Sequence, residues 1–138
     1  MVECEIVKTF GWEMGHRLSF HRGGCQNLHG HSYRCKVTLK GKVDESTGFV
    51  MDFGDLKKVV KPLLETLDHS FMWYKDDGVM GKIFADNKFK HTPVDFQPTA
   101  ENIARHIFDW VKNANLNVYR VKVYETPTCC AQYRGEDK

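Results

Sequence analysis

The chain has 138 residues, with 20 Lys plus Arg against 18 Asp plus Glu and a formal charge of +2 when its seven histidines are neutral. A hydrophobic content of 41% with 12% aromatics fills a core at this length, which excludes disorder and a multidomain arrangement, so one domain over residues 1–138 is expected. Nearly balanced charge makes no broad positive field for nucleic acid, and no run of about 18 apolar residues offers a membrane span, so neither partner is expected.

The opening Met1-Val2-Glu3-Cys4-Glu5 has neither the basic flank nor the apolar stretch of a signal peptide, and a cytoplasmic location is expected. Val2, Cys4, Ile6, Phe10 and Trp12 then alternate with polar residues, the pattern of a half-buried strand. A second strand is cleaner: Tyr33, Cys35, Val37 and Leu39 take the odd positions, Arg34, Lys36, Thr38 and Lys40 the even ones. Asp52 is placed to cap a helix with Leu56, Val59, Val60, Leu63, Leu64 and Leu67 at helical spacing, and Pro62 within it predicts a kink or break. Residues 70–97 have no clear period and read as a long loop. Thr99 caps a second helix whose buried face is expected to hold Ile103, Ile107, Trp110 and Val111. Tyr119, Val121 and Val123 mark a third strand, and Cys129 to Tyr133 a fourth. The result is an α+β class, ββααββ, with a four-stranded antiparallel sheet and two helices on one face.

Three histidines fall in register with these strands. His29 and His31 continue the odd, core-facing positions backwards from Tyr33, and His16 continues the even positions forwards from Trp12. If the two strands pair antiparallel, three imidazoles converge, and three nitrogen donors with an open fourth position describe a catalytic zinc site. Read singly, each is an ordinary hydrogen-bonded or exposed histidine. His21, His91 and His106 lack this geometry and read as surface residues.

Cys25, four residues before His29, fits two roles. It closes a structural site as a fourth ligand, or it is a thiolate nucleophile or base favoured by the imidazoles nearby. Five cysteines are an odd number, and Cys129 and Cys130 are neighbours whose disulfide would be strained, so free thiols are expected. Asp68-His69 after the first helix reads either as a proton-transfer pair or as two solvated residues. Glu125 extends the register of Val121 and Val123, so it is either a carboxylate awaiting N–H donors or an exposed strand end. Thr99 and Glu101 are accounted for as helix cap and first-turn acid.

Taken together, Gly15-His16-Arg17-Leu18, the Cys-x3-His-Gly-His run from Cys25 to His31, Gly48 to Leu56, Leu67-Asp68-His69, Pro98 to Asn102 and Tyr124-Glu125-Thr126 resemble the 6-pyruvoyl-tetrahydropterin synthase superfamily over the whole chain. The ending from Thr126 to Glu136 resembles its bacterial, 6-carboxytetrahydropterin-forming branch, which serves queuosine biosynthesis. The resemblance implies the tunnelling fold, in which the unit trimerises into a barrel and two trimers stack into a homohexamer. It implies Zn2+ on His16, His29 and His31, Cys25 as the proton-abstracting thiolate, and Asp68 with His69 as a proton relay. Glu125 is implied to anchor the pterin and share the relay, with Thr99 and Glu101 in the pterin pocket and 7,8-dihydroneopterin triphosphate as substrate. Two rivals remain: the pyruvoyl-forming reaction, and a non-catalytic zinc module in which Cys25 completes the metal site and the strand from Arg34 to Lys42 contacts RNA.

Overall fold

The computed structural model describes residues 2–136. Its elements in chain order are β1 (Glu3–His16), a one-turn 3-10 segment (Gly24–Gln26), β2 (His29–Lys42), α1 (Phe53–Leu67), β3 (Ser70–Tyr74), α2 (Gly78–Asp86), β4 (His91–Val94), α3 (Ala100–Asn113), β5 (Val118–Thr126) and β6 (Cys129–Tyr133). The α+β class is as expected, but among the described residues the sheet has six strands in the order β4-β3-β1-β2-β5-β6, not four, and there are three α-helices, not two.

The extra elements all come from residues 70–97, expected as a loop. β3 pairs parallel to β1, and β4 parallel to β3, so part of the sheet is not antiparallel. A parallel neighbour needs a crossover, and α2 supplies it between β3 and β4. Asp77 starts that crossover, its side chain accepting from the Met80 N–H, and Met80 alone in α2 is buried.

The β1–β2 hairpin is the long element, paired antiparallel from Glu3↔Lys42 to His16↔His29. Its alternation holds from Tyr33 to Val37, with Tyr33, Cys35 and Val37 buried and Arg34 and Lys36 facing outwards, but it fails at Thr38, expected on the polar face and buried together with Leu39. Burial pushes the Cys35 thiol up to about 12, so this cysteine is packing and not chemistry. In β5 a register shift between Thr38 and Leu39 of the partner strand passes over Tyr119. Val118 is buried in its place and Tyr119 is half-exposed, a correction to the simple alternation.

α1 buries Leu56, Val60, Leu63, Leu64 and Leu67, and Asp52 Oδ1 accepts from the Gly54 N–H at 2.7 Å as its cap. Pro62 does not break it. Proline removes the bond to the carbonyl of residue 58, but Lys58 and Pro62 both lie on the exposed side, where water serves that carbonyl. α3 buries Ile103, Ala104, Ile107, Phe108 and Val111. Trp110 was expected with them and is instead 41% exposed. It sits at the edge of the apolar stripe, where its indole N–H donates to the Val59 carbonyl at 2.8 Å and ties α3 to α1. Both helices cover the face that carries Tyr33, Cys35, Val37, Val121 and Val123, and the hairpin end with the histidines projects beside that core.

Candidate active site

Antiparallel pairing sets His16 directly opposite His29 and sets Met14 opposite His31, so the three imidazoles share one face at the hairpin end. Their ring centroids are 4.6 Å apart for His16 and His29, and 5.1 Å for His31 with either of them. One nitrogen from each lies within 4.8 Å of the others. Gly30 lets the two paired strands approach closely, because a Cβ there would meet the Met14 carbonyl oxygen at 3.0 Å.

Backbone carbonyls fix which nitrogen each ring offers. His16 Nδ1 lies 2.7 Å from the Pro98 oxygen and His29 Nδ1 lies 2.8 Å from the Asn27 oxygen. A carbonyl only accepts, so both Nδ1 atoms carry the proton and both Nε2 atoms keep their lone pair. The Nε2 atoms of His16 and His31 are buried without a hydrogen-bond partner. Burial, reinforced by the neighbouring imidazoles and opposed by the Pro98 bond, lowers the His16 pKa to about 4, so it stays neutral at ordinary pH. Two orphaned donors facing a third imidazole are the arrangement a zinc ion satisfies.

Cys25 is not a member of this cluster of donor atoms among the described residues. It sits half-buried in the 3-10 turn, held by its own carbonyl, which accepts from the Leu18 N–H at 2.8 Å. Arg17 braces the same turn, reaching the Gln26 carbonyl at 3.3 Å while gripping the buried Asp77 through two nitrogens at 2.7 and 3.1 Å. The donor geometry therefore favours an open three-histidine set over a closed four-ligand one.

Asp68 and His69 do form a pair. His69 Nδ1 is 2.9 Å from Asp68 Oδ2, and Asp68 Oδ1 accepts from the Glu13 backbone N–H at 2.8 Å. That N–H, then the His69 bond, holds the Asp68 carboxyl below the usual carboxylate range. His69 has φ 58, a left-handed conformation uncommon for a residue with a side chain, and its own N–H donates to the Glu13 carbonyl at 2.6 Å. Strain here presents an exposed imidazole at an open cleft of about 470 Å3, whose wall also includes His31 and Gly30.

Glu125 is half-buried, with Oε2 3.7 Å from His31 Nε2. It also lines a cleft of about 560 Å3 together with Thr99, Glu101, Leu18, Phe20 and Cys130. The residues expected in one pocket thus share one, and Thr99 also caps α3, its hydroxyl accepting from the Asn102 N–H at 3.2 Å. Sequence reasoning missed Tyr33 as part of this region. Its ring packs edge-on to His31 at 5.4 Å and its hydroxyl is buried without a partner, with burial pushing its pKa up. It also missed the Pro98 and Asn27 carbonyls, which no side-chain pattern can signal. Of the histidines read as surface residues, His91 is exposed but stacked on Phe84 at 4.3 Å, and His106 is half-buried with its pKa lowered mainly by that burial.

A family model described as 6-pyruvoyl tetrahydropterin synthase matches residues 5–136. The chain belongs to that family. Among curated relatives, the 6-carboxy-5,6,7,8-tetrahydropterin synthase of Haemophilus influenzae is 36% identical over 94% of this chain and 98% of its own. The protein of the same name from Aquifex aeolicus is 35% identical over 98% of this chain and 100% of its own. The solved 6-pyruvoyl tetrahydropterin synthase of Caenorhabditis elegans superposes with a TM-score of 0.73 at 28% identity, covering 99% of this chain and 98% of that one. The near-full-length superposition shows that this chain has the fold of that family.

Proposed function

We propose that the chain is a zinc-dependent 6-carboxy-5,6,7,8-tetrahydropterin synthase of queuosine biosynthesis. In this reading, one domain spanning residues 1–138 acts in the cytoplasm as a homohexamer built from two trimers. The reaction takes 7,8-dihydroneopterin triphosphate and water to 6-carboxytetrahydropterin, acetaldehyde and triphosphate. The coarser reading, a pterin synthase of lyase type, has the support of near-full-length relatives of that name. The single observation that carries the chemistry is the trio of imidazoles, His16, His29 and His31, with the Nε2 atoms of His16 and His31 buried without hydrogen-bond partners and Glu125 3.7 Å from that of His31.

His16, His29 and His31 would hold the zinc ion, which when bound would supply Lewis acidity towards the hydroxyls of the substrate side chain. The remaining work belongs to the chain. Glu125 accepts ring N–H groups and fixes the heterocycle, with Thr99 and Glu101 along the same cleft. Cys25, as the thiolate, takes a proton from the side chain. His69 gives and receives protons at its exposed ring, and Asp68, ionised and anchored on Glu13, orients it and stabilises its charged form. Proton movement of this kind lets the redox state pass internally from side chain to ring.

The superposition on the worm protein favours one second reading, 6-pyruvoyl-tetrahydropterin synthesis, which eliminates triphosphate and keeps all three side-chain carbons. Incubating the zinc-loaded protein with 7,8-dihydroneopterin triphosphate and weighing the products separates the two. Acetaldehyde with a carboxylated pterin supports the proposal; a pyruvoyl pterin replaces it with the second reading, and no product at all rejects both.

A further inference from the structure

Glu125 stands on a wall shared by two clefts of opposite character, and His31, 3.7 Å from it, lines one of them. The cleft that holds Thr99, Glu101 and Glu125 is lined by two carboxylates and by no Lys or Arg. It suits an N–H-rich ring and repels phosphate. On the other side of His31 and Glu125 opens a cleft of about 630 Å3 whose wall includes Thr9, Ser32, Arg34 and Lys36. A third cleft, near Phe10 and Trp12, also has lysines, but Lys61 there is paired with Glu65 and neither His31 nor Glu125 reaches it.

The cations of the second cleft differ from two others on the sheet, Lys40 and Arg120, which have carboxylate partners. Lys40 has Glu3 at 3.4 Å and Arg120 has Glu5 at 3.6 Å, whereas among the described residues Arg34 and Lys36 take part in no ion pair. Lys36 instead lies over the Tyr124 ring at 5.7 Å and is directly opposite Lys122 on β5, a like-charge pairing that costs stability unless an anion relieves it. Arg34 is opposite Gly11 on β1, so its guanidinium lies against backbone with its donors open to the cleft. The Ser32 hydroxyl is taken by Glu13 at 2.6 Å, but an unpaired fork of guanidinium donors beside an ammonium and the Thr9 hydroxyl is a receptor for phosphate oxygens.

We propose that Arg34 and Lys36 form a polyphosphate subsite that continues from the His31–Glu125 wall and holds the anionic tail of a substrate whose ring lies in the carboxylate-lined cleft. The identity of that substrate rests on the activity proposed above; the preference for a linear polyphosphate rests on the cleft. Ring and tail sort themselves by charge, and the bonds to be broken lie between them, at the imidazoles.

Calorimetry of the zinc-loaded protein with inorganic triphosphate tests the subsite without turnover. The Arg34→Met, Lys36→Met double variant should bind inorganic triphosphate at least about tenfold more weakly, with a shallower salt dependence, while phosphate-free 7,8-dihydroneopterin binds within about twofold of the parent. In turnover, KM for 7,8-dihydroneopterin triphosphate should rise by a similar factor with kcat nearly unchanged. Arg34→Lys should recover part of the loss, and Lys42→Met, outside the cleft, should cause none. Should the double variant misfold, each single variant is measured instead; both side chains are exposed. Unchanged triphosphate affinity in the variants, an equal loss in Lys42→Met, or tighter binding of a short RNA than of triphosphate at the same salt overturns the subsite. A parent that binds triphosphate through these cations yet forms no pterin product keeps the subsite and removes the proposed activity, so the two failures are distinct.

Discussion

The molecule carries two histidine sites built in opposite ways. His16, His29 and His31 are held by the centre of the sheet, with backbone carbonyls occupying the outer nitrogens of two rings and the inner nitrogens of His16 and His31 left buried and unpartnered. His69 stands at the end of α1 in a left-handed conformation, exposed, with a carboxylate at 2.9 Å. The first arrangement lowers the pKa of His16 and His31 by burial and leaves their inner lone pairs free, which suits a metal. The second surrounds an imidazole with water and a negative charge, which suits a group that changes protonation in each cycle. In the proposed reading, burial and the contact at the outer nitrogen fit the same side chain to opposite duties.

The largest expected effect breaks the first site. His16→Ala should abolish zinc binding, and it also strands the Pro98 carbonyl in a buried position, at a cost of about 1–3 kcal/mol in stability. Metal content and thermal unfolding measure both, and full zinc retention would mean that the cluster is not the metal centre. The second site should respond differently. His69→Ala is expected to keep zinc and to slow turnover by about 10²–10⁴-fold with little change in KM. Because Asp68 titrates below the usual carboxylate range, its charge is present above that range and is lost only as pH falls through the lowered value. The acid limb of the rate profile should therefore survive in Asp68→Asn at a lower plateau; a limb that vanishes would reassign it to Asp68.

How much of this was legible in sequence differs between the same two regions. The histidine register of the hairpin was legible because a strand has a period of 2, and the alternation that buries Tyr33, Cys35 and Val37 extends without interruption to His31 and His29. The Asp68–His69 pair was legible as a candidate proton-transfer pair but not its geometry; the clamp on Glu13 and the left-handed turn depend on β3 lying beside β1, and β3 was not foreseen. Five-residue and four-residue strands such as Ser70–Tyr74 and His91–Val94 are too short to show a period, and Pro93 argues against a strand where only an edge position tolerates it. Glu125 was legible from register as a misplaced carboxylate, but its proximity to His31 required the β2–β5 pairing.

Glu125 lies between the two kinds of site and sharpens the contrast. Glu125→Gln keeps the shape while replacing an acceptor oxygen with a donor amide, so pterin affinity on zinc-loaded protein should fall by about 1.5–3 kcal/mol. Zinc content should remain normal, since the carboxylate is 3.7 Å from His31 and outside the donor set. A variant that binds pterin as tightly as the parent would make Glu125 a strand-end residue.

The smallest expected effect concerns Thr99, which has both a structural and a proposed binding role. Its hydroxyl oxygen accepts from the Asn102 N–H and caps α3, while its side chain faces the cleft of Glu101 and Glu125. A hydroxyl has one proton to donate and two lone pairs, so the cap leaves the proton available to a ligand. Thr99→Ala should lose about 1 kcal/mol of stability from the missing cap. It should also lose roughly 0.5–1.5 kcal/mol of pterin affinity from the missing donor, the scale of a neutral hydrogen bond. Thr99→Ser retains both functions and should restore both quantities. Thermal unfolding and calorimetry separate the roles: a Thr99→Ala variant that melts early but binds pterin normally has lost only a cap, and the ring then lies against Glu101 and Glu125 without help from the helix N-terminus.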